Sequence, residues 1–283
     1  MIPATLPANQ TDRQPAPAAR SVGDLLRSWR ARRRASQLDL ATDAGISPRH
    51  MSFVETGRSQ PSRELVLRLA ERLQMPLRER NALLHAAGFA PLYSERSLSD
   101  PALGPAREAI DAVLRGHEPN PALAVDRRWT MLAANRAVAP LLKGIAPDLL
   151  APPLNVLKLS LHPAGLAPRI VNYADWRSHL MARLKRDIDL TGDPGIIDLK
   201  EELMRYPVPE HARLQKAGSL PASLMVVPLM LDFGGAVLSF LSTITVFGTP
   251  VDVTLSEIAI ESFFPADAAT AQALRQSFPA TAN

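Results

Sequence analysis

Apolar residues recur three and four apart along residues 22–34, where Val22, Leu25, Leu26 and Trp29 fall on one side and predict a helix. The stretch 37–58, QLDLATDAGISPRHMSFVETGR, then predicts two short helices about a tight turn. Ser36 is placed to cap the first, with Asp39 returning a carboxylate to the helix start, and Leu38, Leu40 and Ala41 supply its apolar positions. Gly45 breaks the chain where a left-handed residue costs little. Ser47 and Pro48 start the second helix, which runs to about Thr56 with Gly57 just beyond it. Met51 and Val54 face inward with Ile46, leaving Arg49, His50, Ser52 and Phe53 on the outer face. Pro61 and Ser62 begin a fourth helix filled by Leu65, Leu67, Leu69 and Leu73, and a fifth covers 77–87 before Gly88.

Beyond residue 90 the pattern changes. APLYSERSLSDPALGPARE predicts a linker running into a helix that ends near Gly116. Apolar runs at 122–125 and 129–133 about the polar turn 126–128 predict a hairpin, and a helix follows from Asn135. Helices are expected within 153–161, 169–190 and 195–206. Two strands about 233–235, a third in EIAIESFFP and a closing helix at 266–278 complete a five-stranded antiparallel α+β domain. The expected layout is a lead at 1–20, an all-α five-helix domain at 21–90, a linker and connecting helix at 91–118, and the α+β domain at 119–280.

The chain has 283 residues, enough for two domains, with 46% hydrophobic and 21% charged residues. Its longest apolar candidate, 219–245, is broken by Pro221, Pro228, Asp232 and paired glycines, so no membrane span is expected. No cysteine is present, which excludes disulfides and thiolate metal sites. Residues 1–20 lack the basic start and apolar core of a signal peptide; a disordered lead and a cytoplasmic location are expected. Residues 20–80 hold 13 Arg and no Lys against 7 Asp plus Glu, a local balance of +6 within a net +4. Positive charge thus coincides with the paired short helices, as binding to a polyanion requires.

Enzyme chemistry finds little support. The histidines at 50, 85, 117, 162, 179 and 211 show no HExxH or i, i+4 pairing, and no Walker loop or GxSxG occurs. Asp252 and Glu257 flank VTLS as a turn and cap better than as an acid–base pair. Neither metal nor other cofactor is expected.

The order of helices and the pattern SQxxLAxxAGISxxxxSxxExGRxxPSxxxxxRLAexL resemble the XRE (Cro/C1-type) helix-turn-helix DNA-binding domain. That resemblance implies that Gln37 contacts phosphate, that Ser47, Pro48, Arg49, His50, Ser52 and Phe53 approach the bases, and that Thr56, Gly57 and Arg58 touch the backbone. It also implies an internal pair between Arg30 and Glu55. Pro48 departs from the polar residues common at its position, so its base contacts would be van der Waals.

WTMLAAN near the start of the second domain, with FGTPVDVTLSEIAIESFFPADAAT near its end, resembles the MmyB-like transcription regulators. The fold implied there is PAS-like, a sheet with helices over one face around a small-molecule pocket. Trp129, Trp176, Met181, Met225 and Phe240 are candidates to line it, with Arg169 and Arg177 to hold a ligand carboxylate. The combined expectation is a dimeric, bacterial-type transcription regulator on an inverted-repeat operator of double-stranded DNA, modulated by a small apolar, fatty-acid-like ligand. The alternative is a ligand-independent regulator whose second domain only dimerises or docks partners. A continuous cavity of a few hundred Å³ discriminates the two.

Overall fold

The computed structural model describes residues 20–218, 226–248 and 250–277. The expected lead at 1–20 lies outside these residues, save Arg20. Five helices open the chain: α1 (Val22–Arg32), α2 (Gln37–Asp43), α3 (Pro48–Glu55), α4 (Arg63–Arg72) and α5 (Leu77–Ala86). Their starts follow from local chemistry. The Ser36 hydroxyl accepts from the Asp39 amide at 3.0 Å while Asp39 accepts from the Ser36 amide at 3.1 Å, satisfying two donors that the α2 start would otherwise leave bare. Ser47 caps α3 through the His50 amide, and Ser62 caps α4 through the Leu65 amide. Leu26, Leu40, Met51, Val54 and Leu69 meet in the core. Leu38 does not join them: it stands 60% exposed beside the capped start of α2, a correction to its expected inward position. α1 and α4 run into the left-handed residues Arg34 and Gln74. Neither is a glycine, so those ends carried no breaker signal.

The connection that follows is tethered. The Asn81 side chain of α5 accepts from the Leu92 and Tyr93 amides and donates to the Tyr93 carbonyl. After α6 (Gly104–Gly116) come β1 (Ala122–Val125), β2 (Met131–Ala134), α7 (Pro147–Leu150), α8 (Val156–Leu161), α9 (Tyr173–Thr191) and α10 (Pro194–Arg205). β3 (Leu229–Phe233), β4 (Ala236–Val246), α11 (Val253–Ser256), β5 (Ala259–Pro265) and α12 (Ala268–Ser277) complete the chain.

The five strands form one antiparallel sheet in the order β2-β1-β5-β4-β3, so the first and last segments of the domain meet at its middle. Gly234 and Gly235, both with positive φ, make the two-residue turn between β3 and β4. Alternation divides the sheet into two faces. Ala122, Ala124 and Ile260 pack under Ile110 and Leu114 of α6. Leu123, Val125, Leu231 and Phe240 face the larger core built with α8, α9 and α10.

The expected β1–β2 hairpin forms, but its second strand starts later than residue 129. Asp126 accepts from the Arg128 and Thr130 amides, Trp129 adopts φ 66°, and β2 begins only at Met131. Trp129 is therefore a turn residue, its ring buried beneath the Arg183 guanidinium at 4.2 Å.

Candidate DNA-binding surface and ligand cavity

On the helical domain, α3 presents an outer face whose position is set by α1. Arg30 of α1 makes a two-pronged contact with Glu55 at the end of α3, Nε to Oε1 at 2.7 Å and Nη2 to Oε2 at 3.1 Å. The Arg27 guanidinium donates to the Glu55 carbonyl at 2.9 Å. Burial alone would push the Glu55 carboxyl up; the hydrogen bonds from Arg30 and Gln37 and the nearby Arg30 and Arg27 charges outweigh it and hold the group below the usual carboxylate range. α1 also approaches α3 with no side chain between them at Gly23, where a Cβ would lie 2.3 Å from the Glu55 carbonyl oxygen.

Gln37 sits in this cluster. One of its amide hydrogens reaches Glu55 Oε2 at 2.6 Å, and the amide carries a second hydrogen besides. Ser47, Pro48 and Arg49 are exposed at the α3 start, with His50, Ser52 and Phe53 half-buried behind them. Arg49 lies over the Phe53 ring at 5.3 Å, a cation–π contact that orders an otherwise flexible side chain. Thr56, Gly57 and Arg58 are exposed, and Gly57, at φ 73°, lets the Arg58 amide return to the Phe53 carbonyl at 2.8 Å. The local charge is less available than its sum suggests. Arg27, Arg30, Arg32, Arg33, Arg78 and Arg80 all bond to protein acceptors.

A second site lies in the α+β domain between the sheet and α8–α9. It is a cavity in which the centre of a water-sized molecule has about 80 Å³ to move, within about 720 Å³ between atoms that includes the open mouth. The smaller figure, a volume for molecular centres rather than for whole atoms, is the one to compare with a single water. That is several times the ~10–15 Å³ one water needs, and it suits a slender molecule rather than a bulky ring system. Of its described wall residues all are nonpolar except Ser160 and Glu261. Trp176 and Phe240 stand in the wall; Trp129 and Met181 belong to the surrounding core instead, and Met225 lies outside the described residues.

The two arginines expected to hold a carboxylate do not reach the cavity. Arg169 donates to the Leu141 and Asp232 carbonyls and lies over the Phe233 ring, and Arg177 donates to the Met204 carbonyl. Both are engaged by backbone carbonyls, and neither lines the cavity. Sequence reasoning passed over Ser160 and Glu261. Trp176 Nε1 donates to Ser160 Oγ at 2.9 Å. Glu261, 4% exposed, pairs with Arg183 at 3.1 Å; burial pushes its carboxyl up, against the pull of Arg183 and Ser242. One acidic residue inside the apolar run AIESFF was the available signal.

The sites are mechanically joined. Trp176 and Leu180 of α9 line the cavity, Arg183 on the next turn holds Glu261, and the far end of the helix meets the DNA-binding domain. There Arg32 donates at 2.8 Å to the Ile188 carbonyl, which also accepts from the Gly192 amide, and Arg33 donates to the Leu190 carbonyl at 3.2 Å, both at the negative end of the helix. Beside this seam, Arg78 of α5 grips Glu257 at 2.7 and 2.9 Å and also pairs with Glu95. Arg127 lies between Glu257 and Asp193, and Arg128 makes two further contacts with Asp193. Glu257 adjoins α11, and Asp252 caps that helix through the Thr254 amide.

Two family profiles match the chain. The MmyB-like transcription regulator ligand binding domain matches residues 106–276, more than half of the chain, and a helix-turn-helix domain matches residues 21–83. Among solved structures, the clp gene regulator ClgR from Corynebacterium glutamicum is 30% identical over 35% of this chain and 90% of its own, with a TM-score of 0.21. No curated protein matches.

Proposed function

Because the chain belongs to the MmyB-like transcription regulators, and so is a DNA-binding regulator with an attached ligand-binding domain, we propose that it reads an inverted-repeat operator as a homodimer in the cytoplasm and that a small apolar molecule in the cavity alters its grip on DNA. One α3 covers half a site, so two copies about one helical turn apart are needed for a full one. The observation that carries the sensing role is α9, which forms part of the cavity wall at one end and bonds to α1 at the other. A ligand that favours one placement of α9 favours one placement of the DNA-binding domain, and the two bindings are then linked. The α9 connection favours this over a second domain that only dimerises, whereas the cavity, at about 80 Å³, is smaller than the few hundred Å³ expected of a sensor. No reaction is assigned to the protein.

Selection of bound sites from random DNA tests the operator half of the proposal: an inverted repeat with fixed half-site spacing is expected, and a single ungapped half-site would overturn the dimer. Within the selected operator, Arg49→Ala is expected to lose about 1–3 kcal/mol of discrimination at one base position. Arg58→Ala is expected to weaken all sequences alike and flatten the salt dependence by about one phosphate contact. Titration across a salt series separates the two outcomes. Wild-type binding by both variants would move the DNA face elsewhere.

A further inference from the structure

The cavity wall carries one ionisable group, and its charge is already answered. Glu261 projects from the central strand β5 toward the same space as Leu123 and Phe263. Arg183, 11% exposed in its side chain and packed on Trp129, supplies the compensating positive charge from outside the wall. No Lys, Arg or His lines the cavity among the described residues. A bound carboxylate would add a second buried negative charge beside Glu261 with no further cation to meet it, and a bound ammonium would add a positive charge to a pair that is already balanced. A neutral molecule avoids both costs.

Hydrogen-bonding capacity narrows the class further. A carboxylate has about four acceptor sites, of which Arg183 engages one. Ser160 accepts from Trp176, which leaves its own hydrogen to donate. The wall therefore offers an acceptor at Glu261 and a donor at Ser160 in otherwise apolar surroundings. We propose that the cavity selects a slender, uncharged, mainly hydrocarbon molecule bearing a hydroxyl or primary amide, with Glu261 receiving its hydrogen, and that it discriminates against fatty carboxylates. This rests on the ligand-binding role proposed above and replaces the fatty-acid-like expectation with a neutral class.

The test uses the full chain and a matched series of n-decanol, n-decanoate and n-decylamine at neutral pH, followed by native mass spectrometry and titration calorimetry. The expected result is one n-decanol per chain, bound at least about tenfold more tightly than either charged analogue. n-Decanoate binding as tightly as n-decanol would overturn the neutral class while leaving the ligand-binding role intact. Failure of all three to bind would remove that role and this assignment with it. Glu261→Gln supplies a second readout: with Arg183 left as an uncompensated cation, the order should reverse in favour of n-decanoate. The same preference for n-decanol in a folded Glu261→Gln chain would show that Glu261 does not set the class. Because the wild-type ratio alone decides the main point, a variant that fails to fold does not protect the proposal.

Discussion

Gly23→Ala is expected to cost the DNA-binding domain about 3 kcal/mol, the upper end of the usual overpacking range. The added carbon would sit 2.3 Å from the Glu55 carbonyl oxygen, 2.7 Å from its carbon and 3.0 Å from the Val54 carbonyl oxygen. These are backbone atoms with no rotamer to yield, so α1 and α3 must separate. Separation also stretches the Arg27 contact to the Glu55 carbonyl and the two-pronged Arg30 contact. Denaturant unfolding followed through the helical signal measures the loss, and operator affinity should fall with it because the orientation of α3 depends on the same approach. Stability within about 0.5 kcal/mol of wild type would show that the helices can slide apart freely.

The second large effect is expected at Glu55. Its side chain is fully buried, and Glu55→Ala leaves the Arg30 guanidinium and the Gln37 amide without their shared acceptor. Breaking a buried pair from one side typically costs 3–5 kcal/mol, and about that loss is expected here. The direction with pH is determined by the depressed carboxyl. A group whose folded value lies below its unfolded one, about 4.3 for Glu, contributes its stability above that value and loses it as pH falls through the folded value. The wild type should therefore weaken as pH falls below about 4.3, and Glu55→Gln should show a shallower decline over the same interval. Parallel melting curves for wild type and Glu55→Gln through that interval would remove the pair from the account of stability.

What was legible in the chain was what local chemistry decides. Ser36 with Asp39, and Ser47 with Pro48, announce α2 and α3 because a cap and its helix lie within four residues of one another. The two-residue turn at 234–235 and the strands about it follow equally from glycine and alternation. Less legible were positions whose meaning depends on distant partners. Leu38 has the apolar character of a core residue yet faces solvent. Asp126 draws Trp129 into a turn that the apolar run 129–133 conceals. Arg78 reads as one more basic residue of a DNA-binding segment, whereas Glu257, 179 positions later, engages it in the opposite domain. The same reasoning placed Arg169 and Arg177 beside a ligand. Composition can suggest a cation for a carboxylate, but only the folded path of the chain shows which carbonyls have already claimed it.

The seam between α1 and the end of α9 bears on modularity. Gly192, immediately after α9, leaves room for the Arg32 guanidinium, which a Cβ there would strike at 2.1 Å. The acceptor carbonyls, the clearing made by Gly192 and the donor arginines therefore form one fitted joint drawn from both halves of the chain. Exchanging either half for that of a relative, with the linker preserved, would conserve each domain but discard the joint. Under the linkage proposed above, such a chimera would still hold DNA while losing any response to a cavity ligand, unless Arg32, Arg33 and the matching end of α9 travelled together.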